Sequence, residues 1–323
     1  MDTREILGRI TKLPIVADGL AEEMLSGNYR SVFKGQGMEF EEARHYQWGD
    51  DAKAIDWNAS ARLGTPFIKV FREERELTIL LLLDASASMR CGITNLWGNI
   101  REEDHHAEAR RTQRGRKEKG IKPVLNPYEQ ALITAALIAF SSERGGQRVG
   151  AFLFDSKIDK VFPPRKGRRN ILAFVSGALH YQGVKTGTGK SSNLGAALAG
   201  AGRMLKRRSM VVLISDFLGS DWEKELCDLS RRHDVIAIRV YDPENTDIPK
   251  LGLFQAQDPE TGLKIDVPAN SAFFRDAWAE WHRDREESWL KQCRRAGASH
   301  LEISVDEDPA KALSRFFTGR GGQ

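Results

Sequence analysis

The sequence predicts an α/β protein with a doubly wound, mostly parallel sheet, and two observations carry that expectation. Four segments, 76–83, 149–154, 210–214 and 235–240, are near-continuously apolar over strand length. Such runs lack the alternation of a half-exposed strand and suit strands covered by helices on both faces. Between them lie helical spacings over about 128–142, 169–179, 194–205 and 222–232, so strands and helices take turns along the chain. That order belongs to crossover units in an open sheet.

Composition bounds what such a fold can be used for. The 323 residues suffice for one large domain with appended segments or two average ones, and 41% hydrophobic with 29% charged residues is an ordinary globular balance. No window reaches the roughly 18 apolar residues of a membrane span, so none is expected. The first residues, Met1-Asp2-Thr3-Arg4-Glu5-Ile6, alternate charged and apolar side chains and lack the apolar stretch of a secretory signal, which makes the cytoplasm the expected location. Cys91, Cys227 and Cys293 form no CxxC pair and read as reduced structural thiols. The net charge of +4 is small for the length, and the basic clusters 165–169 and 206–208 are not interleaved with aromatics, so no nucleic-acid partner is expected.

The chain divides at about residue 75. Over 1–75 an amphipathic helix, carrying Ile6, Ile10, Leu13, Leu20 and Leu25 with a bend at Pro14, precedes a segment rich in glycine and paired charges. Phe33, Phe40, Tyr46, Trp48, Trp57 and Phe67 recur there and are expected to pack on a core. The α/β domain spans 76–323 and is interrupted by a densely charged insertion over about 92–126. Towards the end, a hairpin is expected to turn at 258–262. A helix with Phe273, Phe274, Trp278, Trp281 and Trp289, a strand at 301–305 and a short helix follow.

The residues that carry chemistry stand where strands end. Asp84-Ala85-Ser86-Ala87-Ser88 follows the first core strand, Asp216 follows a second, and Ser191-Ser192-Asn193 opens a helix. Ligands of open α/β sheets bind beyond the carboxyl ends of the strands. One or two carboxylates with several hydroxyls there form a hard-oxygen donor set suited to magnesium or manganese. With so few full negative charges, the ion stays electrophilic enough to accept a carboxylate from another molecule.

Asp-x-Ser-x-Ser after an apolar strand, a later hydroxyl residue and Asp216 after another strand resemble the metal-ion-dependent adhesion site of von Willebrand factor A domains. That resemblance implies direct coordination by Ser86 and Ser88, coordination by Asp84 and Asp216 directly or through water, and Ser192 in the place of the usual threonine. Ser191 and Thr188 are the alternative hydroxyls of that loop. The upstream run from Gly35-Gln36-Gly37-Met38-Glu39-Phe40 to Gly49-Asp50-Asp51 and Ile55-Asp56-Trp57-Asn58-Ala59-Ser60-Ala61-Arg62 resembles a narrower family, the bacterial domain-of-unknown-function family 58. This resemblance covers roughly 20–240. It implies a von Willebrand A-like domain working with a MoxR-type AAA+ ATPase on a client protein, as a chaperone-like assembly or activation module and not an enzyme. The charged insertion departs from the family pattern.

Several competing readings are weaker. Asp84, Ser86 and Ser88 would also serve as caps of a strand-to-helix turn in a metal-free scaffold. A metal-dependent phosphoester hydrolase at the same cation is the alternative of a different class, and it requires a general base. Gly187-Thr188-Gly189-Lys190-Ser191 ends like a phosphate loop, but Val184 stands where the motif needs glycine. His105, His106 and Glu108 lack the HExxH spacing, and no serine lies in a GxSxG elbow. Asp50 and Asp51 are expected to cap a turn or pair with Arg44 and Arg62. The aromatic helix would serve either helix-to-sheet packing or docking.

Overall fold

The computed structural model describes residues 20, 38–48, 50, 55–73, 77–90, 125–181, 192–245, 248, 250 and 252–321. In chain order the elements are β1 (Met38–His45), α1 (Trp57–Leu63), β2 (Phe67–Glu73), β3 (Thr78–Asp84), α2 (Ala87–Arg90), α3 (Pro127–Arg144), β4 (Arg148–Phe154), β5 (Ile158–Arg165) and α4 (Arg168–Leu179). They continue with α5 (Leu194–Met204), β6 (Met210–Ser215), α6 (Glu223–Ser230), β7 (Asp234–Tyr241), β8 (Leu253–Gln257), β9 (Lys264–Pro268), α7 (Ala272–Ala296), β10 (Ser299–Ser304) and α8 (Pro309–Gly321).

The continuously apolar runs become the centre of a six-stranded sheet in the order β10-β7-β6-β3-β4-β5. All neighbours are parallel except β4 and β5. Side chains alternate between two cores, as a strand of period two requires. Ile79, Leu81 and Leu83 face the layer of α3, α4 and α8, whereas Leu80 and Leu82 face α5, α6 and α7. This is the doubly wound arrangement the alternation predicts. Burying both faces leaves every side chain from Ile79 to Leu83 at 1% exposure or less.

Local chemistry fixes the helix starts. Asn126 caps α3 in a reciprocal capping box with Glu129, and Pro127 occupies the first turn, where its missing N–H costs nothing. Leu125 and Asn126, the last two residues of the expected insertion, thus belong to the helix entry, and the rest of 92–126 lies outside the described residues. The expected hairpin forms from β8 and β9, its turn built by Asp258, which accepts from the Glu260 N–H at 2.9 Å and from the Thr261 hydroxyl.

Two expectations need correction. Trp48 is fully exposed and Trp57 is 71% exposed, so these aromatics of the upstream segment do not pack on a core. That segment instead contains the β1–β2 hairpin and α1, whose N-cap is Asp56. The edge strand β5 was not anticipated, because its side chains are mostly half-exposed or exposed and it carries Pro163 and Pro164. Cys227 and Cys293 are free thiols, as expected. Among the described residues no helix is long and apolar enough to cross a membrane.

Candidate metal centre

β3 lies between β4, which the chain enters next, and β6, which it enters after crossing to the other side. The direction of winding therefore switches at β3 and β6, and a crevice opens beyond their carboxyl ends. Asp84 is the last residue of β3, and Asp216 follows the last residue of β6.

All five residues proposed from the sequence fall within the described chain, and hydrogen bonds join them. Asp84 is fully buried. Its Oδ1 accepts the Ser86 N–H at 2.9 Å, and its Oδ2 accepts the Ser192 hydroxyl at 2.9 Å. The Ser86 and Ser88 hydroxyls lie 3.1 Å apart. Ser88 reaches on to the Asp216 carboxylate, and Asp216 Oδ1 accepts the Leu218 N–H at 3.0 Å. Three loops distant in sequence thus meet in one network of oxygens. Ser191 and Thr188 lie outside the described residues.

The electrostatics of this network are unbalanced. Burial, and then the charge of Asp216, push Asp84 up to about 7, against the hydrogen bonds from Ser215 and Ser86. Asp216 is also raised, first by desolvation; the Glu260 carboxylate raises it further and the Arg285 guanidinium lowers it. Among the described residues no lysine or arginine forms an ion pair with either carboxylate. Two acids converging among hydroxyls, neither of them in an ion pair with a described lysine or arginine, form a donor set that fits one hard divalent ion.

Sequence reasoning missed three contributors. Ser215 donates from Oγ to Asp84 Oδ2 at 2.6 Å and accepts the Phe217 N–H at 3.0 Å. Its signal was present: it is the one hydroxyl in the strand Met210–Ser215, directly before Asp216. Asp155, buried just after β4, accepts the Asn193 N–H on its backbone carbonyl at 2.9 Å and so supports the Ser192 loop. Arg285, from α7, donates to the carbonyls of Phe217 and Leu218 at 3.2 and 2.9 Å, and no local pattern announces a contact across 67 residues.

The chain matches the family described as protein of unknown function DUF58 over residues 42–104 and 124–288. It belongs to the DUF58 family. Uncharacterized proteins of Mycobacterium bovis and Mycobacterium tuberculosis are 27% identical to this DUF58 chain over 321 residues, covering 99% of it and 91% of their own length. Among solved structures, the conserved hypothetical protein BatB from Bacteroides thetaiotaomicron is similar at 14% identity and a TM-score of 0.42, over 76% of this chain and all of its own. The SpRpn10 VWA domain is similar at 11% identity and a TM-score of 0.38, over 74% of this chain and 93% of its own.

The other candidates of the DUF58 chain resolve more simply. Asp50 receives a bidentate pair from Arg44 at 2.9 and 2.7 Å and the Gln47 N–H at 2.8 Å, so it serves structure as expected. His105, His106, Glu108, Asp51 and the glycine-rich stretch 187–191 lie outside the described residues. The aromatic helix divides its roles: Trp289 is buried against Phe217, while Trp278 and Trp281 stack at 5.7 Å and Trp281 is 43% exposed.

Proposed function

We propose that this DUF58 chain is a non-enzymatic, cation-dependent protein-interaction module. Asp84, Ser86, Ser88, Ser192 and Asp216 would hold one Mg2+ or Mn2+, with Ser215 bracing Asp84. The observation that supports this best is the fully buried Asp84 carboxylate, which is surrounded by hydroxyls and an amide and, among the described residues, is in no ion pair with a lysine or arginine. A buried carboxylate in that state is costly, and a divalent ion offsets the cost. The bound ion would keep a position open towards solvent and take up an Asp or Glu side chain of a partner. The family resemblance suggests a MoxR-type AAA+ ATPase as that partner, acting with this chain on a client protein.

A hydrolase at the same ion would need a base to activate water. His233 and His300 stand at the amino ends of β7 and β10, at the sheet edge opposite the candidate centre. The Glu260 carboxylate, close enough to raise Asp216, is the group such a hydrolase would have to use, and Glu260→Gln separates the two readings, since it would abolish hydrolysis and leave cation-dependent adhesion in place.

The test is calorimetric titration of Mg2+ and Mn2+ into chelator-treated wild type, Asp84→Ala and Ser88→Ala, repeated with a co-expressed MoxR-type ATPase. One ion per chain is expected for the wild type, with binding lost in Asp84→Ala and partner association lost with it. Equal absence of binding in wild type and variants would reduce the network to a turn-capping device.

A further inference from the structure

Arg90 closes α2 two residues after Ser88 and plays no part in the donor set. Its guanidinium lies 4.2 Å over the ring of Tyr128 and 5.5 Å over that of Tyr181. Its Nε donates to the Ala85 carbonyl at 3.3 Å, inside the turn that carries the serines, and its Nη2 donates to the Tyr181 carbonyl at 2.7 Å. Both tyrosines are tied down in turn. The Tyr128 hydroxyl donates to the Ala178 carbonyl at 2.8 Å, and the Tyr181 hydroxyl donates to Asp159. Arg90 is thus bonded at one end to the Asp84–Ser88 turn and at the other to a frame built from α3 and the end of α4.

The position of this contact gives it a consequence for the serines. On one side the turn is fixed by β3, whose ladder ends at Asp84. On the other side it continues into α2, which ends at Arg90. Met89, fully buried, holds the turn down on the core. Apolar burial has no direction, however, whereas hydrogen bonds from a planar guanidinium do. The Ala85 N–H also holds the turn, donating to the Phe154 carbonyl at 2.8 Å, and Arg90 adds a second directed hold on the Ala85 carbonyl, and with it on the aim of the Ser86 and Ser88 hydroxyls at Asp84 and Asp216.

We propose that Arg90 is a positioning residue of the cation site, clasping the Asp84–Ser88 turn to the Tyr128–Tyr181 frame so that Ser86 and Ser88 stay aligned with Asp216. The proposal rests on the cation reading above and adds to it the residue that sets the site's affinity from outside the coordination sphere. Supports of this kind move metal affinity by roughly 10–100-fold when removed. Lysine keeps the charge and one donor direction but loses the planar fork and the stacking, so it restores only part of the effect.

The experiment uses the full chain with Mn2+ as probe and compares wild type, Arg90→Lys, Arg90→Met and Tyr181→Leu. Three quantities are read: the Mn2+ dissociation constant, the melting temperature in EDTA, and exchange of the Ser86 amide in EDTA, whose N–H is bonded to Asp84. Expected are a dissociation constant weakened by about tenfold or more in Arg90→Met, values between it and wild type for Arg90→Lys and Tyr181→Leu, and faster Ser86 exchange in the same order. A lowered melting temperature with unchanged Mn2+ affinity and unchanged Ser86 exchange would overturn the proposal and leave Arg90 as a stabiliser of the fold. Wild type that binds no Mn2+ would instead overturn the cation reading, and the exchange order would then decide by itself whether Arg90 aligns the turn.

Discussion

Asp84 has exchanged the hydration of a carboxylate for an amide and two serine hydroxyls within 2.9 Å, and that exchange falls short. Burial first, and the charge of Asp216 second, raise its pKa from 3.8 to about 7. A folded-state pKa above the unfolded one means that the folded chain binds the proton more tightly. Without a cation, stability therefore declines as pH rises from about 4 to about 7, by up to ~4 kcal/mol. Asp84→Asn removes that charge, so in EDTA at pH 8 its denaturant midpoint is expected to correspond to ~1–3 kcal/mol more stability than wild type. The same variant should gain nothing from Mn2+. Histidines shift the other way. His282, held to about 4 by desolvation, then by Arg239 and Arg285, and His233, lowered by desolvation, then by Arg232 and Arg208, both carry buried ring nitrogens without a hydrogen-bond partner. The folded chain disfavours the charged form of each, so their contribution is intact above pH 6.5 and declines as pH falls below it, for His282 down to about 4. Urea titrations of Asp84→Asn in EDTA between pH 7.5 and 4.5, where the opposing Asp84 contribution is absent, should show this fall. His282→Phe should flatten it by on the order of 1–2 kcal/mol, the half-buried position being partly screened by solvent.

At the scale of elements, the loop between β6 and α6 brings Asp216 to the centre, and it is built under constraint. Phe217 and Asp221 both have positive φ, 56° and 60°, which costs a side-chain-bearing residue energy that packing must return. The ring of Phe217 supplies part of it, 5.3 Å from Trp222 and 5.5 Å from Trp289. Between those residues, Gly219 lets this loop approach the Ser192 loop. A Cβ there would stand 2.8 Å from the Ser192 carbonyl oxygen and 2.9 Å from Leu194 Cδ1. Gly219→Ala is therefore expected to cost ~1–3 kcal/mol of stability by overpacking. It should also weaken Mn2+ binding by moving Ser192 and Asp216 apart, which calorimetry with a parallel urea melt would show. A surface glycine such as Gly319, with nothing within 4 Å of the added carbon, is the control. None of this loop's geometry was legible in the sequence, since Gly219 and Arg285 act through contacts made only after folding. The strands β3, β4, β6 and β7 were legible because burial on both faces leaves an unbroken apolar run. The edge strand β5 was hidden by its exposed residues and its two prolines. The candidate centre lies between these cases: Asp84, Ser86, Ser88 and Asp216 were readable from their places after apolar strands. Ser215 was passed over as the end of such a strand.

For the molecule as a whole, the centre joins parts of the sheet that the chain reaches at different times. Asp84, Ser86 and Ser88 follow β3, Ser192 precedes α5, and Asp216 follows β6, so Asp84 and Ser215 are 131 residues apart and still bonded. In an unfolded chain these oxygens are dispersed, and any ion held by all of them binds the folded state alone. Binding then adds RT ln(1 + [L]/Kd) to stability, about 2.7 kcal/mol at a hundredfold excess over Kd. In a chain of this size that corresponds to a rise in melting temperature of roughly 4 °C or less. Mn2+ and Mg2+ are expected to raise the melting temperature of the wild type in a concentration-dependent way that EDTA reverses. Asp84→Asn and Asp216→Asn should melt at the same temperature with and without the ion. Ca2+ would give a smaller shift, because a short turn with a few fixed hydroxyls suits six-coordinate ions better than the larger, more flexible shell calcium prefers. A melting temperature indifferent to all three ions would mean that the hydroxyls around Asp84 satisfy it alone, and the network would then be a brace between β3 and β6.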